Sequence, residues 1–174
     1  MNEWIPIPGT AKARLVEVAL VAFGQHGYAG VAVGDLAAEA QVTTGALYHH
    51  FGSKAGLYAL ARTELERRIR DRMDGAEAVP TASLGIILGV GLEAARRQQA
   101  VRLLSEPSPI AREDLLAQWI AVRAERRQPG LGPLLVGSWQ AALAELSRGA
   151  DLDTVRTALA LLVQGIDQVP AMGP

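Results

Sequence analysis

Cysteine does not occur in the 174 residues, so a disulfide framework, a thiolate metal site and a thiol nucleophile are all excluded. A reducing, cytoplasmic home fits that composition. Aromatic residues make up only 5% of the chain, and its apolar half is mainly Ala and Leu set among Arg, Glu and Gln. This mixture favours helices over strands and predicts an all-α protein. Histidine is equally sparse: His26, His49 and His50 are the whole supply, and no Glu-x-x-His pair accompanies them. Neither an enzyme, a bound metal nor a cofactor is expected from so thin a set of ligands and bases.

An excess of charge of either sign is missing too. The chain carries 17 Lys and Arg against 18 Asp and Glu, and residues 1–75 balance eight against eight. Electrostatics alone therefore do not point to a nucleic-acid partner, and the motifs must decide. Long apolar runs are also lacking. The uncharged stretches 78–92 and 128–144 are broken by proline, glycine and polar residues and are too short to span a bilayer. Glu3 and Trp4 among prolines do not read as a signal peptide, so no membrane partner is expected.

What is present is helical periodicity with clear stops. Thr10 is placed to cap a first helix whose Leu15, Val18, Ala19, Ala22 and Phe23 recur at helical spacing until Gly27. Val33, Leu36, Ala37 and Ala40 mark a short second helix. Gln41 and Val42 then bridge to Thr43, which caps a third helix through Phe51. Ser53 caps a long fourth helix with Leu57, Leu60, Ala61, Leu65 and Ile69 on one side; on the other, the Arg62 to Arg72 run with Glu64, Glu66 and Asp71 is expected to be a salt-bridged, solvated face. Gly75 and Pro80 mark a boundary, and further helices are expected over 81–98, 111–127, 133–147 and 152–168. The organisation expected is a three-helix helix-turn-helix domain at 1–53, a connecting helix at 54–75 and a helical C-terminal domain at 76–174.

The third helix carries the functional signal. Leu47 and Phe51, four apart, form an inner column, and Thr44 and Tyr48 form an outer, more polar one. Free N–H groups at the helix start, a glycine for close approach, one Tyr, two His and the following Lys54 suit phosphate and base-edge contacts. A helix presented in this way after a short turn is a reader of double-stranded DNA.

These residues resemble the TetR family of transcriptional regulators. The likeness rests on Gly27-Tyr28, Asp35-Leu36-Ala37, Val42-Thr43-Thr44-Gly45-x-Leu47-Tyr48-x-His50-Phe51, then Lys54 and Leu57, and extends over about a third of the chain. The resemblance implies DNA contacts at Thr43, Thr44, Gly45, Tyr48, His49, His50 and Lys54, and a C-terminal domain known only by its helical plan. Val31 and Ala32 stand where family members usually place a hydroxyl that caps the second helix and touches phosphate, so that contact is missing.

In the C-terminal half, Leu135, Trp139, Leu143 and Leu146 form one stripe and Val155, Leu159, Leu162, Val163 and Ile166 another; they are the expected seam of a homodimer, packed as a four-helix bundle. Leu88, Leu116, Trp119, Ile120 and Trp139 are candidates to line an apolar effector cavity. Gly85, Gly89 and Gly91 either leave room in that cavity or let helices pack tightly. The expected function is a repressor released from a near-palindromic operator by a small ligand. The alternative is a helical protein-interaction module that has lost specific DNA binding.

Overall fold

The computed structural model describes residues 9–167, so the leader through Pro8 and the end of the chain from Gln168 lie outside the described residues. Among the described residues there are nine helices and no strand: α1 (Ala11–His26), α2 (Val33–Glu39), α3 (Thr44–Phe51), α4 (Lys54–Glu77), α5 (Leu84–Arg97), α6 (Val101–Ser105), α7 (Leu115–Arg127), α8 (Leu131–Ser147) and α9 (Leu152–Asp167).

Capping chemistry sets most of the boundaries. The hydroxyls of Thr10, Thr43, Ser53 and Ser83 each accept from the backbone N–H three residues on, and the Asp114 carboxylate does the same for Ala117. Because Ser83 and Asp114 are the caps, α5 and α7 begin three and four residues later than the apolar pattern predicts. In contrast, α8 starts two residues early, at Leu131. The Glu125 carboxylate on α7 accepts from the N–H groups of Gly130 and Gly132, satisfying donors at its start. At the other boundary α4 runs through the exposed Gly75 to Glu77.

The turn between α2 and α3 closes by the same logic. Gln41 adopts a left-handed φ of 55°, its N–H donates to the Ala38 carbonyl, and the Val42 N–H reaches back to Ala37. This is the reverse-turn end that lets α3 leave α2 at an angle. Arg14 of α1 donates from Nε to the Ala40 carbonyl at 3.0 Å, holding the end of α2 against α1.

At 24 residues α4 is about 36 Å long. It packs on α1 and α3 near its start and on α5 and α7 further along. The hydrophobic core follows it without a break, from Leu15, Phe23 and Leu47 through Leu57, Leu65 and Met73 to Leu88, Trp139 and Val163. The periodicity gave no sign of α6, since five residues are too few to show one. It packs between α1 and α8 and so joins the two ends of the molecule.

Two expectations change here, and one alternative left open is narrowed. Arg62 and Glu66 of α4 are buried rather than solvated: Glu66 receives Arg62 Nε at 3.0 Å, both terminal nitrogens of Arg112 and the Leu115 N–H. Seven of the nine seam residues, namely Leu135, Trp139, Leu143, Leu146, Val155, Leu159 and Val163, are buried in the chain's own core. Of the remaining two, Leu162 is 69% exposed, and the Ile166 side chain lies outside the described residues. The reason is geometric: each of the last two helices has more than one apolar face, and periodicity cannot say which one the chain's own core takes. Of the two roles left open for the glycines of α5, their close neighbours favour packing. A Cβ on Gly91 would fall 2.7 Å from both Met73 Sδ and Trp139 Cη2, and one on Gly85 would fall 3.2 Å from the Ala160 Cα of α9. Leu88, Leu116, Trp119, Ile120 and Trp139 are all buried side chains of the same core. Among the described residues no helix is long and apolar enough to cross a membrane.

Candidate nucleic-acid interface

Helix α3 is held from within by Leu47, which has no exposed surface, and by the half-buried Phe51. Four residues make one helical turn, so this inner column obliges Thr44 and Tyr48 to face outward. Tyr48 is 52% exposed, and Thr43, Thr44, Gly45, His49 and His50 are exposed with it. Six of the seven DNA-contact residues inferred above therefore lie exposed on one short helix and its cap. Thr43 spends its hydroxyl on the Ala46 N–H at 3.1 Å, which leaves the Thr44 and Gly45 N–H groups at the helix start. A Cβ on Gly45 would meet only Thr43 Oγ1, at 3.7 Å, so the glycine leaves an open approach to the backbone rather than relieving a crowded one.

The histidine rings stand 5.2 Å apart and edge to face. Among the described residues no cluster of three or more His, Cys, Asp or Glu side chains is placed to hold a metal ion. The seventh residue, Lys54, is the first of α4, and its ammonium lies over the Tyr28 ring, 4.4 Å from the centroid. That ring belongs to a trio, 6.1 Å from Phe23 and 5.2 Å from Tyr58. Tyr28 stood in the motif only as an aromatic after Gly27; its role beneath Lys54 needs the fold, since 26 residues separate them. Beside the surface, α2 starts at Ala32 with no side-chain cap, as the missing hydroxyl predicts. The Arg67 and Arg68 guanidinium groups are engaged with Glu64, Asp71 and Glu17.

Comparison with known proteins places this geometry. Residues 15–61 match the family described as bacterial regulatory proteins, tetR family. The chain is 28% identical over 167 residues to the probable acrEF/envCD operon repressor of Escherichia coli, covering 90% of this chain and 74% of that protein. It is 27% identical over 161 residues to the HTH-type transcriptional repressor DhaR of a Mycobacterium species, covering 78% and 81%. Its fold superposes on a TetR-family transcriptional regulator from Pectobacterium atrosepticum with a TM-score of 0.70 and 26% identity, covering 94% of this chain and 95% of that one. A match that begins inside α1 and ends inside α4 takes in the reading helix and everything that holds it. Residues 15–61 thus carry the tetR-family match, and over most of its length the chain is similar to TetR-family transcriptional regulators.

Proposed function

We propose that the chain is a homodimeric repressor that reads a near-palindromic operator with α3 and leaves it when a small, largely apolar effector binds the C-terminal half. The observation that carries the DNA-reading part is the outward column of Thr44 and Tyr48 over a fully buried Leu47. Thr43, Thr44, Gly45, Tyr48, His49, His50 and Lys54 make the contacts, with Lys54 and the start of α3 on phosphate and Tyr48 at base edges. Two such helices related by a two-fold axis meet half-sites about 34 to 36 Å apart, or somewhat more.

The dimer forms through the outer faces of α8 and α9, where Leu134, Leu161 and Leu162 are among the most exposed large apolar side chains of the chain. The relatives named as repressors support repression rather than activation. An effector lodged among Leu88, Leu116, Trp119, Ile120 and Trp139 has to displace side chains of the packed core that α5, α7 and α8 contribute to. It releases DNA to the extent that it prefers the rearranged state. The test is a gel shift with DNA upstream of the chain's own gene. A sharp shift abolished by Tyr48→Ala supports the reading, and a failure to bind any such duplex favours a protein-interaction module instead.

A further inference from the structure

We propose that Tyr28 and Glu106 are positioning residues for DNA binding: they hold the Lys54 ammonium for its phosphate and tie its place to the C-terminal body. The inference rests on the operator-binding reading above and extends it to residues outside the reading helix.

A lysine at the start of a helix is a point charge on a flexible stem, and a phosphate contact must first order that stem. Here the ordering is done in advance. The face of the Tyr28 ring holds the ammonium at 4.4 Å and leaves the N–H groups on its far side free to donate. The ring cannot drift, because Phe23 stacks on one side of it and Tyr58 meets it edge to face. Its backbone is fixed as well: the Tyr28 N–H donates to Glu106 Oε2 at 3.4 Å.

Glu106 reaches that spot beside Gly27, whose missing side chain leaves the carboxylate room. Gly27 turns the chain at a φ of 68°, and a Cβ there would fall 2.6 Å from Glu106 Oε1. The carboxylate is held in turn by Arg102, whose Nε donates to Oε1 at 2.8 Å, and the Glu106 carbonyl accepts from Arg62 Nη1 at 2.7 Å. Arg62 is the buried partner of Glu66. Glu106 caps the end of α6, which packs against α8 as well as α1. A shift of α6 relative to α1 therefore moves the ring on which the Lys54 ammonium sits, so the lysine responds to the body through Glu106.

The test is operator affinity by fluorescence anisotropy across a salt series, because a residue that only stabilises the fold changes affinity without changing its salt dependence. Lys54→Met removes one phosphate contact from each subunit and should flatten the dimer's slope of log affinity against log salt by about 1.8. Tyr28→Leu should weaken binding by about three- to tenfold and flatten the slope equally, whereas Tyr28→Phe keeps both. Glu106→Ala should act in the same direction with a smaller loss, and Glu106→Gln should restore most of it. Adding Lys54→Met to either Tyr28→Leu or Glu106→Ala should cost no more than Lys54→Met alone. Should Tyr28→Leu fail to fold by circular dichroism, the Glu106 variants, altered at a partly exposed side chain, carry the test. A parental salt slope in Tyr28→Leu or Glu106→Ala, or losses that add to that of Lys54→Met, overturns the proposal. An unchanged slope in Lys54→Met overturns it while operator binding stands, and a parent protein that binds no operator overturns the reading beneath it.

Discussion

Arg112 grips Glu66 with both terminal nitrogens, at 2.7 Å and 2.6 Å, although 46 residues separate them and Glu66 has no exposed surface. Arg62 and the Leu115 N–H complete the shell around that carboxylate, so α4 is fastened to the start of α7 by a charge cluster with every bond satisfied. Removing one cation leaves a buried carboxylate short of charge and of two hydrogen bonds. Arg112→Met should lower the unfolding free energy by about 3 kcal/mol, and Arg112→Lys by less, since an ammonium keeps a positive charge beside the carboxylate. Urea unfolding midpoints for the two variants settle the order.

Neighbouring residues of α3 should give opposite phenotypes. Tyr48→Ala should weaken operator binding by about 1 to 3 kcal/mol with unchanged helicity and melting. Leu47→Ala, one position away, empties a fully buried site and should cost about 2 to 5 kcal/mol of folding stability. Anisotropy titration and thermal melting of the pair check both; a Tyr48→Ala protein that binds like the parent would put the reading surface elsewhere.

The two faces of α9 separate association from folding. Leu162→Glu places a charge on an exposed apolar side chain and should shift light-scattering mass from dimer to monomer while leaving the chain folded. Leu159 is only 3% exposed, so Leu159→Glu should unfold the chain instead. A monomeric parent protein at micromolar concentration would remove the seam altogether.

Packing around Gly91 makes a similar forecast in the core. A methyl group there meets Met73 and the Trp139 ring at once, so Gly91→Ala should destabilise the fold by about 1 to 3 kcal/mol despite the better helix propensity of alanine. Differential scanning calorimetry reads the sign, and a higher melting temperature would mean that the helices have room to separate.

Alkaline stability should depend on one phenol. Burial pushes the Tyr58 hydroxyl above its usual range, outweighing the opposing hydrogen bond with Arg62 and the Arg62 charge. An unfolded tyrosine loses its proton near about pH 10, while the folded one keeps it, so the folded state binds more protons. The stabilisation is whole below that pH and is lost as pH rises through the folded value. Unfolding free energies measured from pH 8 to 11 should fall more steeply for the parent than for Tyr58→Phe.

The local devices were legible in the sequence because each acts over a few residues. Thr10, Thr43 and Ser53 cap the helices they were expected to cap, Gly27 stops α1, and Leu47 and Tyr48 fall on opposite sides of α3, since capping and helical period depend on nothing further along the chain. Contacts between distant segments were decided only by tertiary structure. Glu66 looked like any acidic residue in a charged run until Arg112 closed over it, and α6 showed no period to find. Leu159 and Leu162 are equally apolar; which of them enters the core depends on how α9 rotates against α5, where Gly85 and Gly89 admit close approach. Lys54 was singled out as a candidate phosphate contact by its motif alone. The ring under it and the carboxylate behind that ring come from residues 26 and 52 positions away, because a side chain's place is set by what the fold brings to it.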